Sequence, residues 1–132
     1  PGGLQEYTDN YLVYFNKTSY LADTIDQDVK LINLNYTGGV DIIRMLLQLK
    51  SIIKTNKIDI VHTHLTPASL YTHLLCPVSV PQVHTIHSTY SMDSETRPVM
   101  RYLERKLFLE KPQCNIISLS EFTKEDFLNI RK

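Results

Sequence analysis

Ile58-Asp59-Ile60-Val61-His62-Thr63-His64 reads as a short β-rich run, and Val83-His84-Thr85-Ile86-His87 reads as a second. In the first, apolar residues occupy positions 58, 60 and 61, while polar side chains gather at the far end before Thr66 and Pro67. A strand buried in a parallel sheet has this form when it delivers a side chain to the rim where ligands bind. The second run ends the same way. The spacing predicts two strands whose carboxyl ends border one site.

Working outward, residues 41–57 form the clearest helical pattern. Ile42, Met45, Leu46, Leu49, Ile52 and Ile53 recur at spacings of three and four and make one apolar stripe. Lys50, Lys54 and Lys57 gather toward the carboxyl end, where the helix dipole favours them. Upstream, residues 11–15 and 29–34 read as strands. Between them, Thr18 or Ser19 caps a short helix over 20–25. Gly38-Gly39 breaks the regular pattern. Downstream, Pro67 fits the first turn of a helix over 68–75, which stops before Pro77. The second strand extends over 80–87, with Pro81 tolerable only near its start. Residues 88–96 are polar and irregular. Residues 97–110 read as a second long helix with Val99, Leu103 and Leu107 facing inward, and Met100 and Phe108 as further candidates for that face. A strand over 115–119 and a helix over 121–130, begun by Ser120, complete the chain. Strands alternating with helices at this pitch imply an α/β fold, with a Rossmann-like parallel sheet and helices on both faces.

Composition sets the bounds. With 132 residues and 42% hydrophobic content, the chain supports one domain with a core, not two. Fourteen basic residues balance fourteen acidic ones, so net charge gives no case for nucleic acid. Cys76 and Cys114 stand apart in apolar surroundings, as small core residues of a reducing compartment do, and a cytoplasmic location is expected. No apolar run reaches the roughly 18 residues a membrane span needs. Residues 1–10 read as a loop or disordered start. The start at Pro1 and the last residues, which stop within a helical pattern, suggest a piece of something longer.

The order of these motifs resembles the amino-terminal domain of the family 4 retaining glycosyltransferases, which have the GT-B fold. Lys57-Ile58-Asp59-Ile60-Val61-His62-Thr63-His64 is similar to the family's "pDIvHaH" strand, and Pro81-Gln82-Val83-His84-Thr85-Ile86-His87 to its "vPvvxtxHg" strand. A basic helix follows. Ile116-Ile117-Ser118-Leu119-Ser120-Glu121 is then similar to the "iixvSe" element. The likeness covers residues 41–128. It implies that residues 11–132 are a truncated acceptor-side domain, one half of a GT-B fold lacking its first strand. A carboxy-terminal donor domain, with its Glu-x7-Glu element, would hold most of the nucleotide-sugar. The parent would be an enzyme moving a sugar from that donor to a glycan or lipid-linked acceptor in polysaccharide or glycoconjugate biosynthesis. The domain by itself would be inactive. A nucleotide-sugar epimerase of the same fold and a non-catalytic α/β binding module are the alternatives. Gly2-Gly3 is similar to the family's glycine-rich loop only in composition, because no strand precedes it.

Ligands of such sheets bind beyond the carboxyl ends of the strands, which selects His64, His87, Ser88, Ser120 and Glu121. His87 matches the family histidine that contacts the transferred sugar, and imidazole bonds hydroxyls through either nitrogen. The competing role for His87 is satisfying backbone groups at a strand end. His64 is the analogous residue one strand away, and either walls the acceptor pocket or packs at the rim. Ser120 and Glu121 either touch a ligand or open the last helix, and helix capping explains Ser120 equally well. His62 and His84 read as structural. Four histidines invite a metal, but His84 and His87 fall on opposite faces and no carboxylate or cysteine completes a set, so no metal and no cofactor is expected. Arg97, Arg101 and Arg105 recur at four-residue spacing; a solvated face and peripheral contact with anionic lipid both fit them.

Overall fold

A computed structural model describes residues 8–15, 24–87 and 114–129, together with Val99, Tyr102, Leu103 and Lys106. The chain divides into two compact units, residues 1–49 and 50–132.

The first unit holds β1 (Asn10–Tyr14) and β2 (Val29–Asn33), paired in parallel with Leu12 opposite Leu31. The short helix expected over 20–25 falls mostly on residues 16–23, outside the described residues. After β2 the chain turns through Asn35, Gly38 and Gly39, all at positive φ, into a 3₁₀ turn, Gly39–Asp41. The Gly38-Gly39 pair stands where two successive residues adopt φ of 95° and 58°, a backbone that a Cβ would strain. Helix α1 (Ile42–Thr55) follows. Its stripe is realised as drawn from the spacing: Met45, Leu49 and Ile53 are buried, and Ile43 and Leu47 on the opposite side are exposed. Asp41 ties the helix start together. Its carboxylate accepts from the Thr37 N–H and hydroxyl and from a two-pronged Arg44 guanidinium. Arg44 also donates to the carbonyls of Leu34 and Asn35, which pins α1 to the end of β2.

In the second unit β3 (Val61–His64), β4 (Gln82–Ile86) and β5 (Cys114–Ser118) form a parallel sheet in the order β3-β4-β5. Helix α2 (Thr66–Leu75) carries the chain from β3 to β4 and packs against β3. Helix α3 (Glu121–Asn129) follows β5, and its Phe127 joins Ile86, Cys114 and Ile116 in a small apolar cluster. Parallel sheets flanked by helices make this an α/β, Rossmann-like architecture.

Several boundaries and faces differ from the sequence-based expectation. The described strands form a two-stranded sheet in the first unit and a three-stranded sheet in the second. Strand β3 starts at Val61, not Ile58, because residues 56–58 serve the end of α1. The Ile58 N–H donates to the Ile53 carbonyl and the Lys57 N–H to the Lys54 carbonyl, with Lys57 left-handed at φ 49°. These are the two bonds of a Schellman ending. Ile60 is consequently not a buried strand residue and stands 58% exposed. Helix α2 begins two residues early, at Thr66, since Pro67 is accommodated anywhere in the first turn. Strand β4 starts after Pro81, which lacks the N–H a ladder position would use. In the segment expected to be the second long helix, Val99, Tyr102, Leu103 and Lys106 are helical, but Val99 and Leu103 are 67% and 40% exposed. Four-residue spacing fixes which residues share a face, not whether anything covers it.

Candidate functional site

Parallel, in-register strands bring their carboxyl ends to one edge. His64 pairs in register with Thr85, and Ile86 with Ser118, so His64, His87 and Ser120 all lie at that edge of the three-stranded sheet. Strand alternation then sorts the side chains. Thr63, Gln82, His84 and Ile86 are buried on one face, and Thr85, on the other, is buried as well. His62 and His64 are exposed on the opposite face of β3, and His87, just past the end of β4, is exposed too.

His84 is 2% exposed, and its Nδ1 lies 3.3 Å from the Thr63 carbonyl oxygen and 3.2 Å from the Thr63 hydroxyl. A neutral ring donating through Nδ1 to the carbonyl suits this position. Burial pushes its pKa down to about 4, and the neighbouring imidazoles of His64, His87 and His62 push the same way against the carbonyl bond. His84 is therefore a neutral core histidine, as its place in the alternation implied.

On the face that carries His62 and His64, His62 Nε2 lies 2.7 Å from the Thr85 hydroxyl, and His64 Nδ1 lies 2.6 Å from His87 Nε2. The rings of His62 and His64 have centroids 4.4 Å apart, and those of His64 and His87 4.9 Å. His64 titrates below its ordinary value because of desolvation first, then the neighbouring rings of His62 and His87. Two of the expected rim residues thus meet directly. His62 belongs with them on this face, beyond the structural part expected of it, and Thr85 joins them as a residue that no motif marks. Matched parity of positions 62, 64, 85 and 87 on adjacent parallel strands was the signal available for both.

Ser120 caps α3. Its hydroxyl accepts from the Thr123 N–H at 3.1 Å, while the Thr123 hydroxyl accepts from the Ser120 N–H at 3.1 Å. The two form a reciprocal capping box, with the Ser118 hydroxyl 2.6 Å from that of Thr123. Glu121 is exposed and pairs with Lys124 at 2.7 Å. Their positions keep them at the ligand edge, but these bonds are those of a helix start. Ser88, Arg97, Arg101 and Arg105 lie outside the described residues. His73, the fifth histidine, is fully buried on α2, a placement no motif signalled.

Among the described residues no group of three or more His, Cys, Asp or Glu side chains is arranged to hold a metal ion. The nitrogens of His64 and His87 face each other at hydrogen-bond distance, which leaves no space for a cation between them. Cys76 is buried and Cys114 half-buried. No helix among the described residues is long and apolar enough to cross a membrane.

A parallel α/β sheet with a polar edge of imidazoles and hydroxyls defines a domain of the Rossmann-like class. The sequence pattern of Glycosyltransferase Family 4 matches residues 9–131, nearly the whole chain, and the chain belongs to that family. The architecture is accordingly one Rossmann-like half of a GT-B fold. Comparison with curated proteins finds no match.

Proposed function

We propose that this chain is the amino-terminal, acceptor-side domain of a retaining glycosyltransferase that moves a sugar from a nucleotide-sugar to a glycan or lipid-linked acceptor. The observation that carries this is the imidazole edge, His64 against His87, at the carboxyl ends of parallel strands in a chain of this family. His87 is the group that meets the transferred sugar, since imidazole offers either a donor or an acceptor to a hydroxyl. His64 walls the acceptor side beside it, Ser120 and Glu121 border the same edge, and Ser88 joins the substrate-binding set on the sequence motif alone.

The main cost of such a transfer is charge developing on the departing diphosphate, which preorganised donors stabilise. Among the described residues, this edge carries imidazoles and hydroxyls, not a cluster of fixed cations. A second, donor-binding domain supplies the rest. The described domain alone is therefore expected to give no turnover.

The test is sugar transfer by the intact enzyme with His87→Ala. A drop in kcat/KM of about a hundredfold or more is the expected result for loss of a group acting at the reacting sugar. Wild-type activity in that variant would sink the assignment. Product analysis by NMR reads the anomeric configuration, and an inverted product would remove the retaining part of the proposal.

A further inference from the structure

The contacts on the histidine-bearing face of β3 and β4 repeat a single geometry. His62 stands opposite Val83 and His64 opposite Thr85 in the strand register. Yet each histidine reaches the residue two places further along, His62 to Thr85 and His64 to His87. Diagonal neighbours on one face of a sheet lie within reach of long or aromatic side chains. The result is a ladder in which the Thr85 hydroxyl holds His62, the His62 ring leans on His64, and a nitrogen of His64 holds His87.

His87 needs such support. Strand β4 ends at Ile86, so His87 lies beyond the paired residues, and its side chain is exposed. An exposed side chain at a strand end has several staggered rotamers open to it. The bond to His64 selects one of them.

We propose that His64 is a positioning residue for His87: it engages Nε2 of that ring and leaves Nδ1 as the nitrogen presented to the ligand. Naming the ligand as a sugar hydroxyl rests on the transferase reading above; the pairing of the two rings does not. Between neutral imidazoles the bond is N–H···N, so one facing nitrogen carries a proton and the other does not. If His87 Nε2 carries it, His64 is protonated at its own Nε2, and His87 Nδ1 is a bare acceptor. If His64 Nδ1 carries it, His87 is protonated at Nδ1 and presents a donor. Both rings therefore hold the same tautomer, both Nε2–H or both Nδ1–H.

Long-range 15N–1H spectra of the ring nitrogens, recorded on the full chain at alkaline pH, test this directly. Matching tautomers on His64 and His87 are expected, and opposite tautomers would overturn the pairing. His64→Phe keeps a ring on the face but removes the nitrogens, whereas His64→Asn restores a polar atom near the position of Nδ1. In the intact enzyme, His64→Phe is expected to lower kcat by about ten- to a hundredfold through misplacement of His87, with partial recovery in His64→Asn. An unchanged kcat in His64→Phe, or equal losses in the two variants, would overturn the positioning role. Should His87→Ala transfer sugar normally, the sugar contact falls, while the ring spectra still decide the pairing.

Discussion

Leu65 adopts φ 71° and ψ 147°, a backbone conformation that an L side chain rarely takes, immediately after His64 and directly before α2. Its side chain is exposed, so burial does not repay the strain. Leu65→Gly is expected to raise stability by about 1 kcal/mol, measured by urea denaturation, because glycine takes positive φ without a Cβ clash. Strain of this kind is held in place by what lies on either side, here the His64 rung and the first turn of α2. His84 carries a second residue-scale consequence. Its folded pKa of about 4 lies below the ordinary 6.5, so the unfolded chain binds the proton more tightly. The stabilisation is complete above pH 6.5 and is lost as pH falls through 4, amounting to about 3 kcal/mol. His84→Phe should flatten that part of the pH profile in chemical denaturation, though it also removes the bond to Thr63.

At the scale of elements, helix ends set where the site begins. The Schellman ending of α1 uses Lys57 in the left-handed position where glycine is usual. Lys57→Gly is expected to stabilise by about 0.5–1 kcal/mol, read as a shift in the denaturation midpoint. A loss of stability would mean that the lysine side chain contributes more than its backbone conformation costs. The start of α3 is the mirror case. Ser120 and Thr123 satisfy each other's N–H groups, so Ser120→Ala is expected to cost about 1 kcal/mol. Since capping accounts for the Ser120 hydroxyl, Ser120→Ala should affect stability more than sugar transfer. A large kcat loss in a variant of near-normal stability would move Ser120 into the ligand site.

The two units of the molecule answer acid differently. Among the described residues of 50–132 the group shifted furthest is His84, with His64 shifted the same way, and the loss begins below pH 6.5. In residues 1–49 it is Asp41, whose carboxyl the Arg44 guanidinium, then the Thr37 N–H, hold well below the ordinary 3.8. A carboxyl with a depressed pKa keeps its full stabilising contribution above 3.8 and loses it as pH falls through the lower folded value. Hydrogen exchange followed along the chain should therefore show residues 61–86 losing protection near pH 5 while the start of α1 keeps it. Simultaneous loss in both units would refute the assignment to these two groups.

Much of this architecture was legible without coordinates. Helix α1 was written in the three-and-four spacing of residues 42–53, and the parallel strands in apolar runs with polar ends, since period and polarity are local properties of the chain. The edge that carries His64 and His87 followed from the same alternation. The sequence could not show where α1 stops, because Lys57 stands where a glycine would have announced a left-handed cap. Nor could it decide whether Val99 and Leu103 are covered, since burial depends on what another segment places against them. The contact between His64 and His87 belonged to the same class of question. Strand parity put both residues on one face, but parity is shared by every register shifted by two. Only the three-dimensional pairing of β3 with β4, His64 beside Thr85 and one diagonal step from His87, brings the two rings to hydrogen-bond distance.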